Sequence, residues 1–134
     1  MDVLHITDLE AAINHWRQRC PSSPQGMGLS APVLALTEPY VQLILNHQEW
    51  LVMDGLSLDA LDALEGWVDT LPDTPCIAIC STSQGDDVCK GCGRTFEEVQ
   101  HWLSYSPWQK RRVWRRITVE KRAWRFTSYA ERAR

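Results

Sequence analysis

The stretch from residue 75 to residue 95, PCIAICSTSQGDDVCKGCGRT, contains four of the five cysteines of this 134-residue chain. They stand as Cys76-x3-Cys80, then eight residues, then Cys89-x2-Cys92. Four thiols so close in sequence are typical of thiolate ligands for one metal ion, which takes four sulfurs in a tetrahedron. Two short cysteine pairs can each bend around the ion, and the eight-residue loop lets the pairs meet. We therefore predict that these four cysteines bind one metal centre, which staples a small fold together.

The residues around the second pair support this prediction. Gly91 lies inside the loop and Gly93 follows it, and glycine tolerates the backbone angles that turn N–H groups toward sulfur. Lys90 and Arg94 place cations near a site with up to four negative sulfurs. A redox Cys-x-x-Cys is an alternative, but no βαβ pattern surrounds the pair. The fifth cysteine, Cys20, precedes a proline in a loop and is expected to be a free thiol.

The spacing leaves the identity of the metal open. Structural Zn²⁺ takes four cysteines readily, and zinc is the favoured interpretation. A [2Fe–2S] or [4Fe–4S] cluster takes the same four thiolates. The N-terminus shows no signal peptide, so we expect a cytoplasmic protein whose thiols stay reduced. No apolar run is long enough to predict a membrane span.

The helix signals predict an all-α protein with two modules. A linker with two prolines, LPDTP at 71–75, separates a helical N-terminal module (1–71) from the four-cysteine module (72–134). In the first module we expect a helix capped by Thr7 and Glu10 that ends near Cys20, followed by a loop over 20–28. A short helix over 30–36 and a second start at Thr37 follow. Ser57 should cap a further helix, whose apolar stripe is Leu58, Leu61, Leu64 and Val68.

Two helices are predicted in the second module, and no strand signal is convincing anywhere. Thr95 and Glu98 form a capping box for a helix that turns Phe96, Val99 and Leu103 inward. Ser106 and Gln109, with Pro107 at the first helical position, form another. The helix that they open runs over about 107–117, with its apolar residues inward: Val113, Trp114 and Ile117.

The charge is strongly divided along the chain. Residues 1–99 contain 15 acidic and four basic side chains, whereas residues 100–134 contain two acidic and ten basic ones. Such a basic end either pairs with the acidic part or binds an acidic partner, which is nucleic acid or protein. For nucleic acid, arginines would contact phosphates and an exposed tryptophan would stack on bases. The candidate partner-binding residues are Lys110, Arg111, Arg112, Arg115, Arg116, Lys121, Arg122, Arg125 and Trp108.

Two parts of the chain resemble bacterial families of unknown function. The segment from Pro75 to about Ile117 resembles a small four-cysteine family often labelled predicted iron–sulfur proteins. The segment from about Ile6 to Trp50 is similar to a separate bacterial module. The first resemblance implies an iron–sulfur cofactor, and neither implies an activity, a substrate or a partner. The first rests on PCI at 75–77, Cys80, CKGCGRT at 89–95, Glu98, Trp102 and Ser106. The second rests on ITDLEAAIN at 6–14, Trp16, Arg17, and Leu36 through Tyr40 to Ile44.

No constellation of catalytic residues is visible, so we expect a binding protein and not an enzyme. The chain lacks a phosphate-cradling glycine loop and a recognisable Ser/His/Asp arrangement. The favoured hypothesis is a structural zinc site in a binding or adaptor module that acts through its basic helix. The alternatives are an iron–sulfur redox or sensor protein, and a scaffold or assembly factor for another protein.

Overall fold

The computed structural model describes residues 2–19 and 30–126, and the chain divides into two compact units, Met1–Leu71 and Pro72–Arg134. Both units are mainly helical, which confirms the predicted class. In the described part of the chain, no helix combines the length and the apolar character that a membrane crossing requires. The loop predicted over residues 20–28 and the thiol of Cys20 lie outside the described residues.

The first unit packs three helices around a shared core: α1 (Ile6–Arg19), α2 (Ala31–Leu45) and α3 (Leu58–Val68). Leu9, Leu36 and Leu64, one from each helix, are 0% exposed. Burying each of these side chains contributes roughly 1.5–3 kcal/mol. The core of this unit therefore lies where the three helices meet.

A two-stranded antiparallel sheet also belongs to this unit, and the sequence did not predict it. It pairs β1 (Val3–His5) with β2 (Trp50–Val52), and Leu4 lies opposite Leu51. Both leucines are buried. Strands of three residues are too short to show the alternation by which strands are recognised, and their pairing joins distant parts of the chain. The absence of a convincing strand signal in the sequence therefore left this sheet unpredicted, although the fold is mainly helical as predicted.

The start of α1 is capped by a histidine and not by the predicted box of Thr7 and Glu10. His5 Nδ1 accepts a hydrogen bond from the backbone N–H of Thr7 at 3.2 Å and lies 2.8 Å from the Thr7 hydroxyl. Because β1 runs directly into α1, Thr7 lies inside the first turn of the helix. The end of α1 at Arg19 agrees with the prediction.

α2 is one continuous helix where the sequence predicted two. Thr37, the expected cap of a second helix, donates its hydroxyl to the Val33 carbonyl at 2.6 Å. Pro39 stands inside the helix and has no N–H to give to the Ala35 carbonyl. The buried residues Val33, Leu36 and Leu43 span this region, so tertiary packing overrides the local start signal.

α3 begins where predicted but buries a different face. Ser57 caps it by accepting from the Ala60 N–H at 3.2 Å. The buried residues are Ala60, Ala63, Leu64 and Trp67, and Leu58 is 78% exposed. The indole of Trp16 donates to the Ala63 carbonyl at 2.8 Å, which requires small residues on that face. Of the predicted stripe, Leu64 is buried and Leu61 and Val68 are half-buried, whereas the prediction is wrong at Leu58.

The second unit holds the two predicted helices, α4 (Phe96–His101) and α5 (Pro107–Glu120). Both predicted capping boxes are present, at Thr95 and at Ser106. α5 continues past the predicted end at 117 until Lys121, whose φ of +52° ends it. The core of this unit is a cluster of buried residues from both helical segments: Trp102, Val113, Trp114 and Ile117.

The inward face of α4 differs from the prediction. Phe96 is 45% exposed and Leu103 is 92% exposed, whereas Trp102 is 4% exposed. α4 has only six residues and is followed by a 3₁₀ turn over Trp102–Ser104. A 3₁₀ turn has three residues per turn and not 3.6, so the helical spacing from Phe96 no longer holds at 103.

Candidate metal centre

The second cysteine pair lies in a tight loop that runs from Val88 to Thr95, whose ends form an isolated β-bridge. The Cys89 N–H donates to the Arg94 carbonyl and the Gly93 N–H donates to the Cys89 carbonyl, both at 2.8 Å. Gly93 has a φ of +90°, which agrees with the predicted need for glycine. This loop, called the cysteine loop below, turns Cys89 and Cys92 into the interior, where both are buried.

The cysteine loop also contacts the segment that carries the first pair. A side-chain carbon at Gly91 would collide with the Ile79 carbonyl oxygen, so only glycine fits there. The Cys89 sulfur lies 3.4 Å from the same oxygen. The Lys90 N–H donates to the Ser81 hydroxyl at 2.8 Å. The two cysteine-bearing segments are therefore packed against each other by backbone contacts.

Each of the four sulfurs has a hydrogen-bonding partner two residues further along the chain. Cys76 Sγ accepts from the Ala78 N–H at 3.3 Å, and Cys80 Sγ lies 2.9 Å from the Thr82 hydroxyl. Backbone N–H groups at positions 91 and 94 hydrogen-bond the sulfurs of Cys89 and Cys92. Ala78 adopts a φ of +69°, which is uncommon for a residue with a side chain. Hydrogen bonds that a thiolate accepts favour the charged form that binds metal, and the pKa of Cys89 is lowered in this way.

The two buried thiols have pKa values shifted in opposite directions. Burial acts to raise the pKa of Cys89, but the backbone N–H groups of Cys92, Ser81 and Gly91 together lower it below its usual value. Burial raises the pKa of Cys92, against the opposing hydrogen bonds from Arg94. The thiols are close enough for the charge of Cys89 to raise the pKa of Cys92 as well.

Arg94 is the cation of the site, as the sequence predicts. It is 5% exposed, and its Nε donates to Cys92 Sγ at 3.3 Å. Its guanidinium lies 4.7 Å from the centre of the Trp102 ring. Lys90 is different, because it is exposed and lies 3.7 Å from Asp86. This buried arginine favours the thiolate form of Cys92 and so opposes the effect of burial on its pKa.

Asp73 fixes the chain just before Cys76, a role that the sequence did not predict. Its carboxylate accepts from Lys110 Nζ at 2.7 Å and from the Trp102 indole at 3.2 Å. Its carbonyl accepts from the Trp114 indole at 3.3 Å. The hydrogen bond from Lys110 lowers the pKa of Asp73. From the sequence, this position was assigned only to the linker between the two modules.

The first cysteine pair is less enclosed than the second. Cys76 is exposed and Cys80 is half-buried. Among residues 2–19 and 30–126, no three His, Cys, Asp or Glu side chains lie close enough together to hold a metal ion. The chemistry of the donor set still fits a thiolate-bound metal, because all four sulfurs have hydrogen-bonding partners and Arg94 lies beside Cys92.

Several of the predicted partner-binding residues have partners within the second unit. Arg116 makes two hydrogen bonds of 2.6 Å to Glu98, and this pairing raises the pKa of Arg116. Burial acts to raise the pKa of Glu98, but hydrogen bonds from Arg116 and Thr95 lower it. Arg125 donates to the Pro75 carbonyl at 3.1 Å. The contact of Arg116 with Glu98 is the kind of internal pairing of basic and acidic groups that the charge pattern allowed.

The remaining predicted residues differ in exposure. Trp108 is 7% exposed and cannot present a ring face to a base, so the structure contradicts its proposed stacking role. Arg111 lies 5.9 Å from the Trp114 ring centre, and it is half-buried like Arg115. Trp124 is 37% exposed, and its N–H donates to the Lys90 carbonyl. Three of the basic residues are exposed: Arg112, Lys121 and Arg122.

Two known sequence families match this chain, one in each half. Residues 2–69 match the family described as "Protein of unknown function (DUF3717)", which covers just over half of the chain, and the chain belongs to this family. Residues 74–121 match a second one, "Protein of unknown function (DUF1289)". These matches agree with the two resemblances drawn from the sequence. No curated protein and no solved structure matches the chain.

Proposed function

We propose that this protein binds one structural zinc ion through Cys76, Cys80, Cys89 and Cys92, and acts in the cytoplasm as a binding module. The observation that carries the proposal is that every one of the four sulfurs has a hydrogen-bonding group two residues further along the chain. A core of thiols without metal would not require such a group beside each sulfur. The backbone strain at Ala78, whose φ is +69°, would then have no compensating role. A reducing compartment keeps the thiols available.

Zinc bound by four thiolates contributes folding free energy and leaves no position open for water. In this chain it would join the segment of Cys76 and Cys80 to the cysteine loop. The contacts of Gly91 and Ser81 already align these two segments. Arg94 would balance part of the negative charge of the thiolates, and the N–H donors would orient them.

Single cysteine-to-serine variants test the ligand set. Each of the four variants should bind less than one tenth of the zinc of the natural protein, measured by competition with a chromophoric chelator. Cys20→Ser is the matched control, since it removes a thiol outside the set, and it should bind zinc normally. If the single variants Cys76→Ser and Cys80→Ser both bind zinc normally, the first cysteine pair does not bind the metal, and the proposal is contradicted.

The second half of the proposal is that the basic surface of α5 and the residues after it binds an anionic partner, tested here as nucleic acid. Arg112, Lys121 and Arg122 carry it, because they are exposed. Lys110 and Arg116 contribute less, because Asp73 and Glu98 already engage them. A small, charge-driven surface of this kind gives binding that weakens as salt rises.

Fluorescence anisotropy with a single-stranded RNA at several salt concentrations tests this half. The triple variant Arg112→Gln, Lys121→Gln and Arg122→Gln should lower the affinity at least tenfold and reduce the salt slope by about two, close to 0.7 for each lost contact. The pair Arg17→Gln and Arg19→Gln removes exposed charge from the first unit and should leave binding unchanged. Equal losses in both variants would show non-specific attraction only.

An iron–sulfur cluster is the second candidate, since it takes the same four thiolates. Hydrogen bonds to the sulfurs would then set the reduction potential of the cluster. The second unit would serve electron transfer or sensing in that case. Metal content and colour separate the two candidates.

A further inference from the structure

We infer that the first unit has a docking groove for a basic amphipathic helix of another protein. The groove lies between α2 and β2, has a volume of about 440 Å³, and is called the α2–β2 groove below. Pro39 and Leu43 of α2 line one side, and Trp50 and Val52 of β2 line the other. A volume of this size accepts a few apolar side chains.

The walls of the groove are mainly apolar and open to solvent. Trp50 is 40% exposed and Val52 is 45% exposed, because they share one face of the short strand. The ring of His5 packs edge-on against Trp50, with 4.8 Å between the ring centres, and so helps to fix this wall. The wall is therefore formed in advance of binding, which reduces the entropy lost when a partner docks.

α2 continues the apolar surface beyond the groove. Leu34, Val41 and Leu45 are 54%, 42% and 67% exposed, and their spacing of seven and four residues aligns them along one side of the helix. Apart from Glu38, α2 contains no charged residue. A helix that is apolar on nearly every side is normally covered. The ridge extends over about three turns, which matches the packing of another helix alongside α2.

The net charge of the first unit favours a partner of opposite charge. Residues 1–71 contain ten acidic and two basic side chains, a net charge of −8. Glu38 lies in the groove itself, and both basic residues, Arg17 and Arg19, are in the last turn of α1. A second copy of this unit would bring like charges together, whereas a helix with lysines or arginines beside its apolar stripe would complement them.

The backbone of the groove offers one further feature that suits a cation. Ala35 and Pro39 both line the groove, and Pro39 has no N–H to pair with the Ala35 carbonyl. That oxygen lacks its α-helical donor and can accept from an ammonium or guanidinium group. Together with Glu38, it provides polar contacts at the side of an apolar groove, which is the usual arrangement for a helix held in a groove.

Binding of labelled model peptides to the full-length protein tests the inference. The probe is a 14-residue Leu/Lys amphipathic helix, followed by fluorescence anisotropy. A peptide of the same composition in scrambled order should bind at least tenfold more weakly, because it lacks the apolar stripe. A peptide with Glu in place of Lys should bind at least tenfold more weakly too. Equal affinity for all three peptides would overturn the inference.

Paired variants locate the site and keep the test independent of folding defects. Val52→Ser should weaken the Leu/Lys peptide at least fivefold, while Leu103→Ser, an exposed leucine of the second unit, should not. Glu38→Gln should weaken it two- to fivefold and lower its salt dependence, while Asp62→Asn, an exposed acid outside the groove, should not. Equal effects within each pair would show that the peptide binds elsewhere. A dimer in analytical ultracentrifugation that Val52→Ser dissociates would show that a second copy is the occupant, and would overturn the choice of partner.

Discussion

Gly91→Ala tests the contact that joins the two cysteine-bearing segments. The added methyl group would collide with the Ile79 carbonyl oxygen and would also lie 3.4 Å from the Ile79 carbonyl carbon. These are backbone atoms and cannot rotate away as a side chain can. Overpacking of this kind costs about 1–3 kcal/mol. A unit of this size has a total stability of roughly 3–9 kcal/mol, so the loss is a large fraction of it.

The expected result of this substitution is a lower melting temperature together with weaker zinc binding. For a domain of 60–100 residues, 1 kcal/mol corresponds to about 4–8 °C, so a cost near 2 kcal/mol lowers the transition by roughly 8–16 °C. If the strain is relieved only when the segments separate, zinc affinity falls on the order of 5- to 150-fold. Circular dichroism melts and chelator competition measure the two effects.

Gly55→Ala is the matched control for this experiment. Gly55 has no atom within 4 Å of an added methyl group and no positive φ. The substitution should be neutral or should stabilise the protein by about 0.4–1 kcal/mol. If Gly91→Ala melts like Gly55→Ala and binds zinc with unchanged affinity, the two cysteine segments are not packed as described, and the reasoning fails.

Four further substitutions test the second unit. Glu98→Gln removes the carboxylate that holds Arg116. The folded-state pKa of Glu98 is lowered, so the pair stabilises the fold fully at neutral pH. This stabilisation is lost as the pH falls below about 4.5 and passes through the folded-state pKa. Urea titrations should therefore show less change in stability between pH 7 and pH 3 for the variant, and an unchanged pH profile would exclude the pair as a source of stability. Trp102→Ala should lower the free energy of unfolding by about 3–5 kcal/mol and Leu103→Ala by less than about 0.5 kcal/mol, since these residues are 4% and 92% exposed. The reverse order would mean that Leu103 faces inward, as the sequence predicted. Ser106→Ala should cost about 1 kcal/mol in thermal unfolding, because the hydroxyl caps α5 through the Gln109 N–H, and no loss would mean that the cap is not formed in solution.

Local signals in the sequence predicted local structure well. The capping boxes at Thr95 and Ser106, the cap at Ser57 and the end of α1 before Pro21 all depend on residues within one turn of each other. The backbone and side-chain groups that satisfy one another are adjacent in sequence, so spacing alone identifies them. The burial of Val113, Trp114 and Ile117 in α5 follows from the same helical spacing.

Features that depend on distant parts of the chain were not predictable in this way. In α3, the spacing fits the face of Leu58 and the face of Trp67 equally, and the approach of the Trp16 indole decides between them. The pairing of β1 with β2 joins residues far apart in sequence. Tertiary packing also keeps α2 intact across Thr37.

At the candidate metal centre, composition identified the cysteines, the glycines and Arg94, but not the residues that support them. Asp73 gives no chemical signal in the linker until Lys110 and the indoles of Trp102 and Trp114 reach it from α5 and the turn before it. Which tryptophans are exposed also depends on the folded unit and cannot be read from the sequence. Trp108 was therefore assigned to the partner-binding surface, although it is buried.

The metal content of the protein purified without oxygen tests the central claim most directly, namely that four cysteines share one metal. Elemental analysis with a visible absorption spectrum should give about one zinc per chain and no colour, and Cys92→Ser should lose the zinc. A brown protein with iron and sulfide would keep the ligand set and contradict zinc. A folded protein without metal, in which all four thiols react freely with a thiol reagent, would contradict the claim itself.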